Sequence, residues 1–197
     1  MKVKTLLVIV AATLLVLCAP MAFGQNLLTN GSFETGSFSG WTTGGNFEDT
    51  EVVSGAFYDY SGAQQGNFYA VLGPVGTDGT LSQTFSDQAG AQYTFSFYFA
   101  SVGDDPSDFS AKWDGTTVYS ATDPDTGANY TLFSFTETGT GTDSISFSFR
   151  DDPAYLALDN VSVTETTTTV PEPGSMMLMG SGALAFAGVL RRKLLRR

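Results

Sequence analysis

From residue 93 to residue 99 every second side chain is aromatic: Tyr93, Phe95, Phe97 and Phe99, with Thr94, Ser96 and Tyr98 between them. Ile145, Phe147 and Phe149 repeat the pattern against Ser144, Ser146, Ser148 and Arg150. A period of two belongs to an extended strand, whose successive side chains point to opposite faces, whereas a helix would spread these rings around its whole circumference. Each stretch therefore predicts a strand with aromatics inward and hydroxyls toward water. Shorter runs of the same kind occupy 67–72, 80–85, 109–113, 117–120, 130–136 and 156–163. Between them stand Gly73-Pro74, Gly76-Thr77-Asp78-Gly79, Asp104-Asp105-Pro106 and Asp123-Pro124-Asp125-Thr126-Gly127, all read as turns. About eight short strands at this spacing predict an all-β, antiparallel two-sheet sandwich over residues 25–163.

Charge is distributed as sharply as hydrophobicity. Of 9 basic residues only Lys112 and Arg150 lie between the two ends, against 20 acidic ones, which leaves that region at −18. Such a surface repels phosphate backbones, so no nucleic-acid partner is expected. Histidine is absent, which removes the commonest residue of zinc, haem and triad chemistry.

The ends read as addresses. Lys2 and Lys4 precede an apolar run over residues 6–17, and Ala22-Phe23-Gly24 offers a small-x-small cleavage site. Residues 1–24 are therefore expected to be a signal peptide with a short helix; acylation of Cys18 is the rival reading. At the other end Val170-Pro171-Glu172-Pro173 is followed by seventeen uncharged residues, 174–190. At about 1.5 Å per residue that run spans about 26 Å as a helix, enough for a thin bilayer core. Arg191, Arg192, Lys193, Arg196 and Arg197 close the chain as a cytoplasmic basic anchor. An ordinary single-pass membrane anchor satisfies this pattern. The three parts together, over 170–197, resemble the PEP-CTERM sorting signal. That resemblance implies an exosortase as partner. It implies an inner-membrane-anchored precursor in an exopolysaccharide-secreting Gram-negative bacterium, then release to the envelope or extracellular matrix. The threonine-rich stretch 164–169 reads as a linker.

A second resemblance covers the middle. Asn26-Leu27-Leu28-Thr29-Asn30-Gly31-Ser32-Phe33-Glu34, Trp41, Gly66-Asn67-Phe68-Tyr69-Ala70-Val71-Leu72-Gly73 and Leu81-Ser82-Gln83-Thr84-Phe85 occur in this order. Tyr93-Thr94-Phe95-Ser96-Phe97, Trp113-Asp114-Gly115 and Leu158-Asp159-Asn160-Val161-Ser162-Val163 complete it. The series is similar to the galactose-binding-like jelly roll of many carbohydrate-binding modules. It implies a structural Ca²⁺ held by Glu34 and Asp159, where the opening and closing segments meet. The competing reading makes Asp159 a strand-end cap and leaves Glu34 exposed.

Three functions stay open. Binding extracellular polysaccharide needs an aromatic plane for the sugar's apolar face and polar groups beside it. Tyr58, Tyr60, Trp113 and Tyr119 are the ligand-binding candidates, with Asp114, Gln64, Gln65 and Asn67 as partners. Tyr58-Asp59-Tyr60 reads as an exposed loop, whereas Trp41 and Trp113 also fit a core. Glycoside hydrolysis would need a carboxylate pair, and no motif singles one out, so no enzymatic activity is expected. A purely structural or adhesive envelope protein needs no pocket and suits the Gly/Ser/Thr-rich pattern.

Overall fold

The aromatic rows do become strands, and their rings meet between two sheets. The computed structural model describes residues 24–152 and 154–166. The ten strands are β1 (Thr42–Gly45), β2 (Thr50–Ser54), β3 (Phe68–Leu72), β4 (Gly79–Ser86) and β5 (Gln92–Val102), then β6 (Ser107–Trp113), β7 (Thr116–Thr122), β8 (Asp125–Thr138), β9 (Thr142–Asp151) and β10 (Leu156–Glu165). One sheet has the order β1-β4-β9-β6-β7, the other β2-β3-β10-β5-β8, and every pairing is antiparallel. This is the expected all-β jelly-roll-like sandwich. Among the described residues there is no helix. The expected signal helix, the C-terminal transmembrane helix, Val170 to Pro173 of the sorting motif, and the anchor Arg191, Arg192, Lys193, Arg196 and Arg197 lie outside the described residues.

Phe95, Phe97, Phe147 and Phe149 are buried as their alternation requires. Phe97 and Phe147 meet edge to face at 5.3 Å across the two sheets, and Phe99 stacks on Phe109 at 4.2 Å. Burying each such ring stabilises the fold by on the order of 2–3 kcal/mol.

Two strands are added to those expected, and two expectations are corrected. Strands β1 and β2 lack a readable pattern; β1, Thr-Thr-Gly-Gly, is a strand because β4 offers it a partner along Gly79 to Ser82. Asp125, Thr126 and Gly127 belong to β8 rather than to a turn, since the chain reverses over Asp123 and Pro124. Strand β10 runs through Glu165, so Thr164 and Glu165 are part of the sandwich and not linker. The opening segment lies along β10: the Leu27 and Val161 amides donate to the Val163 and Gly31 carbonyls. A Cβ on Gly31 would sit 2.1 Å from the Val161 carbonyl oxygen, which is why no larger residue fits this closure.

Candidate functional site

Between β2 and β3 the chain makes a loop that folds back over the outer face of its sheet. Two carboxylates hold the loop's second half. The Gln64 and Gln65 amides donate to Asp159 Oδ2 at 2.8 and 3.2 Å, and the Asn67 and Phe68 amides donate to Glu34 Oε1, both at 2.9 Å. Glu34 and Asp159, far apart in sequence, thus grip one short segment. Gly66 separates the two grips at φ +78, and a Cβ there would meet the Glu34 carboxyl carbon at 2.4 Å. Asp159 is fully buried and takes a third amide, from Asn160, at 2.6 Å. Asn160 has a left-handed φ of 49 in a bulge of β10, the device that re-aims a strand locally. Burial pushes the Asp159 carboxyl up to about 6, against the lowering pull of these amides. Glu34 is exposed and held below the usual carboxylate range by the Phe68 and Asn67 amides. Among the described residues no three acidic, histidine or cysteine side chains are placed to hold a metal ion. Any cation here would rely on these two carboxylates and on neutral oxygens such as Gln64 Oε1 and Gln65 Oε1.

The loop's tip is a tight hairpin in which Phe57 and Tyr60 exchange backbone hydrogen bonds of 3.0 Å. Tyr60 points under the tip. It is 1% exposed and its hydroxyl donates to the Tyr155 carbonyl oxygen. Tyr58 points outward, 52% exposed, from a backbone φ of 51. A bulky residue in that region is a true outlier, of the kind that concentrates at functional sites. Its ring packs at 5.6 Å against Tyr155, which Phe57 supports edge-on at 5.0 Å. Its hydroxyl donates to Asp104 Oδ2 at 3.2 Å.

Asp151 lies near enough to the tip for its charge to act on Tyr58 and Tyr60. It extends the inward row Ile145, Phe147, Phe149 by one step and is 1% exposed. Neither carboxylate oxygen has a hydrogen-bond partner, nor has the buried Ser107 Oγ on the paired strand. Burial, then the charges of Asp104, Asp152 and Asp105, push its carboxyl up to about 7.

The four aromatic candidates therefore separate. Tyr58 is exposed. Tyr60, expected on an exposed loop, is buried because the hairpin turns it onto β5 and β10. Trp113 is core, stacked with Tyr93 at 6.5 Å and edge-on to Phe85 at 5.4 Å. Tyr119 is half-buried and packs on Phe133 at 4.4 Å. Of the polar partners, Asp114 accepts the Ser144 amide and hydroxyl at the far end of the sandwich, so it does not join the tip. Sequence reasoning missed Tyr155, Asp104 and Asp151. The parity of Asp151 with Phe147 and Phe149 was a usable signal, whereas Tyr155 follows a turn and carried none.

Comparison with known proteins bears on the sorting tail and on the fold. Residues 169–193 match the PEP-CTERM protein-sorting motif. No curated protein sequence matches the chain. Among solved structures the fold is similar to TmCBM61 in complex with beta-1,4-galactotriose, at 21% identity and TM-score 0.58, over 72% of this chain and 99% of that one. It is similar to the C-terminal family 22 carbohydrate binding module of Clostridium thermocellum Xyn10B, at 17% identity and TM-score 0.51, over 77% and 100%. A cyclase from Fischerella sp. TAU is matched at 17% identity and TM-score 0.51, over 70% and 95%. These likenesses establish a fold shared by carbohydrate-binding modules and by at least one enzyme; fold alone does not select between them.

Proposed function

We propose that this chain, which carries a PEP-CTERM sorting motif on a carbohydrate-binding-module-like sandwich, is a non-catalytic glycan-binding protein of the cell surface or exopolysaccharide matrix. An exosortase would process it from a membrane-anchored precursor. The observation that carries the reading is Tyr58: an exposed ring, held in a strained backbone, backed by Tyr155 and flanked by Asp104. Aromatic planes with adjacent hydrogen-bonding groups suit the two faces of a sugar ring. The full-length protein, tested on a glycan array, is expected to bind, and Tyr58→Ala to lose about tenfold or more in affinity with its unfolding midpoint little changed. Equal binding by the variant would remove the site.

The same proposal includes a structural Ca²⁺ at Glu34 and Asp159. Their carboxylates and the neighbouring amide oxygens are the hard donors this ion takes. Since amide N–H groups already answer both carboxylates, the ion would add to the grip on the loop rather than create it. A chelator is expected to lower the melting temperature by mass action, and Asp159→Ala to abolish that shift. An unchanged melting point in chelator leaves Asp159 as an amide-capped aspartate only.

One observation favours the structural or adhesive reading. Gly44, Thr80, Ser148, Ser110 and Ser120 line up across all five strands of the β1-β4-β9-β6-β7 sheet, giving that outer face a row of small residues and no ring. Unchanged matrix retention of Tyr58→Ala in cells would support it.

A further inference from the structure

The charges around the Tyr58–Tyr155 pair are all of one sign. Asp104, Asp59 and Asp151 act on Tyr58, and Asp49 and Glu51 act on Tyr155. Asp151, Asp104 and Asp59 act on Tyr60 beneath. Among the described residues the two bases lie elsewhere. Lys112 lies on β6 near the opposite end, and Arg150, facing away from its neighbour Asp151, pairs with Asp108 at 3.4 Å. An aromatic platform ringed by carboxylates rejects uronate, sulfate and phosphate polymers.

Asp151 makes the site more than neutral-tolerant. A carboxylate this deeply buried, with both oxygens unpartnered and Ser107 Oγ unpartnered opposite, is costly in isolation. It is destabilised further by the charges of Asp104, Asp152 and Asp105, and a positive charge at the tip offsets that repulsion. Hydroxyls of a neutral sugar supply hydrogen bonds but no charge. An ammonium group supplies both, and it is attracted to the face of a tyrosine ring as well.

We propose that the tip takes a polysaccharide carrying free amino groups, a hexosamine polymer that has lost its acyl groups. The sugar face lies on Tyr58 and Tyr155, and the ammonium is directed to Asp104, with Asp151 acting through its field. This rests on the glycan-binding reading above and names its ligand class. It uses no metal and no covalent step.

The test compares three polymers on the full-length protein: poly-β-1,4-glucosamine, its fully N-acetylated counterpart and polygalacturonate. The amine polymer is expected to bind about tenfold or more tighter than the acetylated one, a preference that shrinks as salt rises. Polygalacturonate is expected not to bind. Asp104→Asn should remove most of the preference and Asp151→Asn part of it. Glu137→Gln, the same charge change on β8 at the opposite end, should leave it intact. Tyr58→Ala should abolish binding to both glucosamine polymers. If the acetylated polymer binds as well as the amine and Tyr58→Ala still abolishes it, glycan binding stands and the amine preference is wrong. If Glu137→Gln weakens amine binding as much as Asp104→Asn, the attraction is diffuse charge and the proposal falls. Binding indifferent to Tyr58→Ala, or absent for all three polymers, removes the glycan site itself.

Discussion

Asp159 and Asp151 sit in the last two strands, both out of reach of solvent, both with carboxyls pushed upward by burial. Their partners differ completely. Asp159 receives three backbone amides and ties the β2–β3 loop to the sheet. Asp151 receives none, and its charge acts on the loop's exposed tyrosine. Burial alone thus does not sort structural acids from functional ones. The answered carboxylate belongs to the scaffold, and the unanswered one marks where a ligand's charge would be felt. The acids at the opposite end follow Asp159. Asp143 is buried but takes the Thr140 amide and hydroxyl, and Asp87 takes the Gly141 amide at 2.6 Å. Asp87 Oδ2 alone is left without a partner there.

The largest expected effect falls on Asp159. Asp159→Ala strands three amides under the loop and should cost about 3 kcal/mol in urea unfolding, with faster amide exchange across residues 63–68. Asp151→Asn should cost nothing at pH 8. Equal losses in the two variants would erase the distinction drawn here.

A smaller effect is read from pH. Both carboxyls are raised, to about 6 for Asp159 and about 7 for Asp151, above an unfolded value of about 3.9. The fold therefore favours their protonated forms. That stability is fully present below about pH 4 and is lost as pH rises through the folded values. Wild type should lose several kcal/mol between pH 4 and 8, and Asp151→Asn should flatten the upper part of that decline. Glu34, lowered by its amides, acts in the reverse sense and only at acid pH, so it leaves the upper window clear. A decline of the same shape in the variant would show that Asp151 does not carry it.

The smallest concerns Tyr58. Tyr58→Gly and Tyr58→Ala both remove the ring, and they differ in how they tolerate a φ of 51. The glycine variant should be more stable than the alanine variant by about 1 kcal/mol, with neither binding glycan. Equal stabilities would mean that the tip relaxes once the ring is gone.

Most of the sandwich was legible because its signal is local. Phe95 and Phe97, or Phe147 and Phe149, declare their face by alternation with their own neighbours. Strand β1 was illegible because two of its four residues are glycines and its partner lies in β4. The ends of loops were illegible for the same reason. Tyr58 and Tyr60 share a parity, yet one is exposed and the other buried, since a two-residue turn between Phe57 and Tyr60 breaks the strand's rule. Glu34 and Asp159 were found through a resemblance, and no local pattern tells that both hold the amides of residues 64–68. Asp151 lay in plain view on the inward row of β9; what the sequence withheld was that nothing would answer it.

Direct observation of the two carboxyls tests the account best. Carbon-13 side-chain carboxyl resonances of Asp151 and Asp159 can be followed through a pH titration, without and with a glucosamine oligomer. The account predicts that the oligomer lowers the Asp151 midpoint from about 7, because a nearby ammonium favours its charged form, and leaves Asp159 near 6. An Asp151 midpoint that stays put while the oligomer is bound, or one that moves together with Asp159, would contradict it.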